Sequence, residues 1–296
     1  MYRKNTRSRN KKRHTKRSAG KYKYSRKYRG GSDVEGTAKI EKYIEKTKKD
    51  APTDISGVPL VIYRSWMTAD LPVNMKAAVD KTIAMTPEFD NHFFSDEDCL
   101  KFLQENYSDE PNVANAFRAL KPGAFASDYW RYCVLYKKGG VYLDIKMELH
   151  MPLIDILKEY PKIFIGNIPF DPASPGNPLD QVWNGLMTSP PNNPVFRACI
   201  DEVIESCKTQ NYRRDPLDIT GPCLLWRMIH KFESETFLSS QPFEFMKGRY
   251  GVYFREKEFI TQYEKYRDDQ GKSRKTPHYG EMWYSRNVFD TSVQFV

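Results

Sequence analysis

The chain has 296 residues, enough for one large domain or two small ones and enough to bury most of the apolar surface that an unfolded chain exposes. Its 47 Lys and Arg residues outnumber its 38 Asp and Glu residues, which gives a net charge of +9. Residues 1–30 hold 14 of the basic residues and no acidic one, so residues 31–296 carry a net charge of −5. This distribution argues against a nucleic-acid surface that extends over the whole chain.

Membrane spans, secretion and disulfide frameworks are also disfavoured. No apolar run approaches the roughly 20 residues of a membrane helix, and the N-terminus has no apolar signal segment. The cysteine count is odd and no CxxC pair occurs, which disfavours a disulfide framework and a structural zinc site. The cysteines are Cys99, Cys133, Cys199, Cys207 and Cys223. We therefore expect a reducing compartment and a cytoplasmic, non-secreted protein.

The first 50 residues are predicted to form a basic tail and a linker. Residues 1–32 carry like charges and almost no apolar side chains, so nothing offsets the entropy lost on ordering, and we expect disorder. Tyr22, Tyr24 and Tyr28 stand between basic residues, which leaves weak contact with nucleic acid or another anionic surface open beside a solubilising or localising role. Residues 33–50 are predicted to be a linker or a loose helix, and residues 51–296 the folded domain.

Strands and helices alternate along this folded domain, which predicts an α/β architecture. Short apolar, β-branched runs predict the strands, and apolar residues at three- and four-residue spacing predict the helices. In chain order we expect a strand over 58–63, a helix over 72–85, a strand over 89–94, a helix after residue 95, helices over 111–120 and 124–138, a strand over 141–149, a short helix past residue 152, a strand over 163–168, helices near 193–207 and over 221–232, and then short strands and loops. Four prolines between residues 169 and 180 predict a surface loop.

Two of the predicted helices have specific local signals. Val73, Ala77 and Ile83 lie at helical spacing and predict the apolar face of the helix over 72–85. Ser95, with Asp98 three residues later, resembles a capping box and predicts where the next helix begins. Both signals depend on residues that are close in the sequence. They therefore predict that these segments are helices, but not which elements the helices pack against.

The helix over 124–138 brings charged side chains together. Gly139 and Gly140 supply its C-terminal stop. Asp128 and Arg131 are three residues apart and therefore neighbours on one face of the helix. Taken alone, such a pair would more often be a surface ion pair than part of a functional site.

The strand predicted next to this helix carries four polar side chains on one face, because alternate residues of a strand point the same way. These are Tyr142, Asp144, Lys146 and Glu148. Carboxylates accept hydrogen bonds from sugar hydroxyls, and Arg and Lys neutralise phosphate. The helix and strand together predict a site for a ligand with hydroxyl and phosphate groups.

The same stretch resembles the glycosyltransferases with a DXD sugar-binding region, including the yeast-type initiating mannosyltransferases and, more distantly, the glucosyltransferase domains of large clostridial toxins. The family pattern is roughly A-x-x-S-D-x-x-R-Y-x-x-L-x-x-x-G-G-x-Y-x-D-x-D. Matching positions, in order, are Ser127, Asp128, Arg131, Tyr132, Leu135, Gly139, Gly140, Tyr142 and Asp144. Looser matches are the opening strand that ends at Trp66, Asn184 with the later Asn193 to Phe196 segment, the Thr220-Gly221-Pro222 turn, and His278 with Trp283, so the resemblance covers about residues 57–285.

The resemblance implies a GT-A type fold, a Rossmann-like mixed sheet flanked by helices, and transfer of a hexose from a nucleotide sugar with retention at the anomeric carbon. Trp66 would lie at the nucleotide base, and His278 and Trp283 would close over the diphosphate and the sugar. The implied catalytic residues are Asp144, Lys146, Asp128 and Arg131, the implied donor-binding residues are Trp66, Ser127, Tyr142, Asn184 and Trp283, and the implied metal ligands are Asp144 and His278.

One position departs from the family pattern, because Lys146 stands where the second Asp of the DXD motif is expected. Such carboxylates suit Mn²⁺ or Mg²⁺, which neutralises the diphosphate leaving group. Three interpretations remain open here: Asp144 with His278 still holds the metal, with Glu148 as a further carboxylate; Lys146 replaces part of the metal's charge; or the site binds sugar without turnover. The missing membrane anchor is a second departure, and it fits a bacterial or large-DNA-virus relative that acts in the host cytoplasm or virion.

The sequence thus predicts a retaining hexosyltransferase that uses a UDP- or GDP-linked sugar and a glycan or protein acceptor. Two other classes remain as alternatives. One is an inactive, glycosyltransferase-like sugar-binding protein, and the other is a nucleic-acid-associated protein that acts through its basic tail.

Overall fold

The computed structural model describes residues 36–166, 181–233, 242–245, 250–274 and 276–296. These residues belong to one compact unit, Val34–Val296. The predicted disordered tail over 1–32 and the predicted loop over 169–180 lie outside the described residues.

The described residues form both strands and helices, distributed along the whole described chain, and this confirms the α/β class. The strands are β1 Thr37–Lys39, β2 Tyr43–Ile44, β3 Asp54–Ile55, β4 Val58–Pro59, β5 Val61–Ser65, β6 Asp70–Pro72, β7 Asp90–Phe94, β8 Gly140–Leu143, β9 Met147–Leu149, β10 Phe164–Gly166, β11 Val182–Ser189, β12 Phe243–Phe245, β13 Gly251–Phe254 and β14 Lys257–Gln262. The helices are α1 Val73–Met85, α2 Asp96–Asn106, α3 Pro111–Ala119, α4 Gly123–Lys138, α5 Leu153–Glu159, α6 Pro194–Thr209, α7 Pro222–Phe232, α8 Tyr266–Ser273 and α9 Tyr279–Tyr284, with a 3₁₀ turn at Pro216–Asp218.

A six-stranded mixed sheet, in the order β10-β11-β8-β5-β7-β2, forms the centre of the fold. Strands β8, β5 and β7 are parallel to one another. Strand β11 runs antiparallel to β8, and β2 runs antiparallel to β7. The predicted mixed sheet flanked by helices is therefore confirmed, and its three parallel strands end at a common edge.

The single strand predicted over 141–149 is wrong. The chain leaves the central sheet after β8, turns through residues 144–146 with a Met147 N–H to Asp144 carbonyl bond of 3.0 Å, and enters a second sheet as β9. That four-stranded antiparallel sheet has the order β12-β13-β14-β9. Alternation of side chains is lost at the turn, so Glu148 does not share a strand face with Tyr142.

The structure differs from the sequence-based expectations in four further places. The loose helix or linker expected over 33–50 contains the strands β1 and β2, which pair with β6 and β7. Strand β11 was not predicted although it lies in the central sheet, and α8 and α9 were not predicted in the C-terminal segment. In α1 the buried residues are Met75, Ala78, Val79 and Thr82, whereas Ala77 is exposed. Packing against neighbouring elements, which spacing alone does not report, selects the face.

Helix α4 lies at the centre of the largest apolar cluster. Its Tyr129, Trp130 and Tyr132 are fully buried, and the capping box of Ser95 and Asp98 is present at the start of α2 beside it. Burying a large apolar side chain stabilises the fold by about 1.5–3 kcal/mol. The helix that carries Asp128 and Arg131 is therefore held rigidly against the sheet.

We expect Gly139→Ala to destabilise the protein by more than about 1 kcal/mol. Gly139 ends α4 with a φ of 66°, and a Cβ there would lie 2.7 Å from the backbone nitrogen of Pro191. Gly123 offers a matched control, because a Cβ at the first residue of α4 meets nothing within 4 Å. Chemical denaturation should show Gly123→Ala unchanged or slightly more stable, and equal stabilities for the two variants would contradict this prediction.

Candidate functional site

A cavity of about 350 Å³ opens at the carboxyl ends of the three parallel strands. Ser65 and Trp66 follow β5, Asp96 follows β7 and Asp144 follows β8, and all four line the cavity. Ligands of α/β sheets bind at this edge because the strand ends and the loops after them face a common crevice. The central sheet thus brings together residues that are far apart in the chain.

Arg131 of α4 holds the floor of the cavity together. It is buried, with 6% of its surface exposed. Its guanidinium donates to the Asn184 carbonyl at 2.7 Å and lies 3.0 Å from Asp128 and 3.3 Å from Asp144. It also lies 4.3 Å from the ring centre of Tyr142. One planar cation therefore links α4, β8 and β11.

Asp144 lies between two cations and a hydroxyl. Its carboxylate is 2.6 Å from Lys146 Nζ and 3.3 Å from Arg131, and it accepts a 3.0 Å hydrogen bond from Tyr142. Burial alone would raise the pKa of Asp144, but the charges of Lys146 and then Arg131 hold that pKa below its usual value. Asp144 is therefore ionised at neutral pH, and both of its oxygens are engaged.

Lys146 points into the cavity between two aromatic rings. Its Nζ lies 5.4 Å from the ring centre of Tyr250 and 5.5 Å from that of Tyr266. Burial alone would lower the pKa of Lys146, but the carboxylate of Asp144 raises it above the ordinary value. Lys146 is thus a fixed positive charge at the cavity wall, held by one carboxylate and two π faces.

Asp128 accepts hydrogen bonds from two further elements. Asn184 of β11 donates to it at 3.0 Å, and Thr220 donates at 3.3 Å. Burial raises the pKa of Asp128 to about 6, although Arg131 acts in the opposite direction. Ser127, the preceding residue, receives a 3.3 Å hydrogen bond from Arg131 and lies 3.1 Å from the Ser65 hydroxyl.

Asp128 is expected to lose its charge in mild acid. Because its pKa is raised to about 6, the carboxylate form is present above that pH and is lost as the pH falls through it. We expect any binding or turnover that depends on this carboxylate to fall about tenfold per pH unit below about pH 6, measured as a pH profile of the free protein. Asp80, exposed on α1, supplies the matched control Asp80→Asn, which should keep the wild-type profile. A flat wild-type profile down to pH 5 would contradict the assignment.

Most of the predicted site residues meet in the cavity. They are Trp66, Ser127, Asp128, Arg131, Tyr142, Asp144, Lys146, Asn184 and His278. Trp283 does not line it: its indole N–H donates to the Tyr212 carbonyl at 2.7 Å, and its ring packs on the main apolar cluster. Glu148 does not line the cavity either, and its carboxylate forms an ion pair with Lys81 at 3.1 Å.

The metal site inferred from the resemblance does not fit this geometry. Over the described ranges, no three His, Cys, Asp or Glu residues are grouped so as to hold a metal ion. His278 Nδ1 accepts the Gly280 N–H at 3.2 Å, so the proton of the neutral ring sits on Nε2 and neither nitrogen presents a free lone pair. A divalent ion at Asp144 would also be repelled by the positive charge of Lys146, whose Nζ already lies 2.6 Å from that carboxylate.

Several cavity residues were not predicted from the sequence. Among them are Tyr250, Tyr266, Arg267 and Arg274, which line the cavity and come from the C-terminal segment. The available signal was the density of basic and aromatic residues between 263 and 279. This signal does not distinguish a surface loop from a cavity wall, because the segment reaches Lys146 through long-range contacts: the pairing of β14 with β9 and the 3.0 Å hydrogen bond from the Tyr263 N–H to the Lys146 carbonyl.

The part of the chain that the structure describes contains no helix with the length and apolar character needed to cross a bilayer.

Residues 72–163 match the family model described as a glycosyltransferase sugar-binding region containing DXD motif. This match includes Asp128, Arg131 and Asp144 and confirms the resemblance predicted from the sequence.

The chain is similar in sequence to mannosyltransferases of yeasts. Inositol phosphoceramide mannosyltransferase 2 of Schizosaccharomyces pombe is 30% identical over 165 residues, which are 55% of this chain and 44% of the relative. Initiation-specific alpha-1,6-mannosyltransferase of Saccharomyces cerevisiae is 30% identical over 83 residues, 28% of this chain and 17% of the relative. The solved structure of PaToxG Glycosyltransferase shares 18% identity and a TM-score of 0.41, covering 61% of this chain and 70% of that one. This chain spans less than half the length of either mannosyltransferase.

Proposed function

We propose that this chain, which carries a glycosyltransferase sugar-binding region, transfers a hexose from a UDP- or GDP-linked donor to a glycan or protein acceptor. The observation that carries the proposal is the Asp128–Arg131–Asp144–Lys146 cluster at the carboxyl edge of the parallel strands. This cluster combines carboxylates for sugar hydroxyls with fixed cations for phosphate in one cavity. The order of the mixed sheet also supports a GT-A type arrangement.

Within this proposal, each side of the cavity has its own task. Asp128 and Asn184 accept and donate hydrogen bonds at the sugar or ribose hydroxyls, and Trp66 offers a ring face to the nucleotide base. Stacking of a base on an aromatic ring is worth about 1–3 kcal/mol. Lys146 faces the diphosphate and stabilises the charge that develops as the bond to the sugar breaks.

We propose retention at the anomeric carbon by attack from the face of the leaving group. The acceptor hydroxyl forms a bond to the anomeric carbon, the bond from that carbon to the diphosphate oxygen breaks, and the acceptor proton passes to a phosphate oxygen. The contacts of the carboxylates support this route over a covalent intermediate. Asp128 and Asp144 are both bound to Arg131, which makes each a weak nucleophile.

Mannose is the first hexose to test, because both named relatives are mannosyltransferases. A panel of UDP- and GDP-hexoses should be assayed for release of the nucleoside diphosphate, with the anomeric configuration of the product read by NMR. We expect one donor to be turned over well above the others, with retention. Donor binding without any turnover would favour the inactive sugar-binding alternative, and an inverted product would refute the proposed route.

A further inference from the structure

We infer that Lys146, with Arg267 and Arg274, supplies the positive charge that holds the donor diphosphate, so that nucleotide binding at this site needs no divalent cation. The inference rests on the proposed function and concerns how the same cavity binds the donor. The charged residues that line the cavity differ in whether another charge already neutralises them.

The two innermost acids are balanced by the two innermost bases. Arg131 is shared between Asp128 and Asp144, and Lys146 lies 2.6 Å from Asp144. These four groups sum to zero charge without a metal ion. If an aspartate stood in place of Lys146, the same four positions would lose one positive charge and gain one negative charge. A divalent cation would then restore neutrality.

The position of Lys146 makes it a substitute for an ion and not a distant counter-charge. Its Nζ contacts the same carboxylate that a DXD metal would use, and the aromatic rings of Tyr250 and Tyr266 flank it. Its side chain is only 18% exposed. The ammonium group is therefore confined at the cavity wall, where an anion entering the cavity meets it already in place.

Two more cations stand at the cavity mouth. Arg267 and Arg274 line the cavity, both are exposed, and within the described ranges neither forms an ion pair with a carboxylate. Their positive field reaches His278, whose pKa is lowered by burial and then by Arg274. A diphosphate would thus enter between Lys146 and two arginines. Each arginine guanidinium can bind two phosphate oxygens at once.

The test is calorimetric titration of the full chain with UDP and with GDP, in excess EDTA and in Mn²⁺. We expect the preferred nucleotide to bind equally well, within about twofold, in the two buffers. Lys146→Met should weaken binding at least about tenfold in EDTA, because a charge-assisted hydrogen bond is lost, and Lys146→Arg should keep most of the affinity. Lys81→Met, which removes an exposed lysine outside the cavity, is the matched control and should bind as the wild type does.

A second variant tests the position directly. Lys146→Asp restores the spacing of the DXD motif, and we expect it to bind the nucleotide weakly in EDTA and to regain at least about tenfold in Mn²⁺, since the paired carboxylates then suit a divalent ion. Mn²⁺-dependent binding by the wild-type chain, or an unaffected Lys146→Met variant, would overturn the inference while leaving the proposed function intact. A chain that binds neither nucleotide in either buffer would overturn the proposed function and this inference together.

Discussion

Replacing Asp144 with asparagine is expected to lower the turnover of the sugar donor by about 10²–10³-fold, similar to the loss when one preorganised group that stabilises transition-state charge is removed. Asparagine keeps the size of the side chain and still accepts the hydrogen bond of Tyr142, so the loss is mainly electrostatic. Without the carboxylate, Lys146 is no longer held at 2.6 Å and Arg131 loses one of its two acidic partners. The cations that face the leaving group then lose their fixed positions.

The same substitution should not weaken the binding of the free nucleoside diphosphate, because it removes a negative charge from the cavity. A fall in kcat together with unchanged or tighter nucleotide binding would therefore identify Asp144 as the residue that positions Lys146. Asp80→Asn on the exposed face of α1 serves as the control for both measurements. Near-normal turnover in the Asp144→Asn variant would refute the site assignment.

Arg131→Met is expected to destabilise the protein by about 3–5 kcal/mol, as measured from the midpoint of urea denaturation. The substitution preserves much of the apolar stem but leaves Asp128 and Asp144 as buried carboxylates without their shared cation. It also removes the donor from the Asn184 carbonyl, which lies 2.7 Å from the guanidinium. The penalty comes from desolvated groups that lose their partner more than from the pair itself.

Two comparisons make this prediction specific. Arg118→Met removes an exposed arginine from α3 and should change the stability by less than about 0.5 kcal/mol. The Arg131→Met penalty should also be smaller at pH 5 than at pH 7, because Asp128, whose pKa is already raised to about 6, becomes neutral in acid and no longer needs the cation. A penalty that is small at pH 7 or independent of pH would contradict the role given to Arg131.

Local sequence signals anticipated the elements that position the site. The apolar spacing before Gly139 marked α4, and Ser95 with Asp98 marked the start of α2. These features depend on residues within a few positions of one another, so the chain specifies them without tertiary contacts. The same signals missed β11, which is buried along its whole length and therefore shows no alternation.

The residue types of the site were also readable, but their arrangement was not. Spacing placed Tyr142, Asp144 and Lys146 on one strand face, whereas they meet because the chain turns after β8 and changes sheets. Trp283 matched a motif yet packs beside Tyr212, outside the cavity. A motif reports which side chains are present, and the path of the backbone decides which of them face a common space.

The sequence by itself determined the α/β class, the rigid helix α4, and the identity of the acids and bases at the cavity floor. Only the tertiary structure decided that Lys146 neutralises Asp144, that His278 accepts the Gly280 N–H through Nδ1 at the start of α9, and that Arg267 and Arg274 line the cavity. The physical reason is range. Helix and strand formation follow from neighbours in the chain, but electrostatic balance depends on distances of a few ångströms, which are set by the turn after β8 and by the packing of separate elements around the cavity.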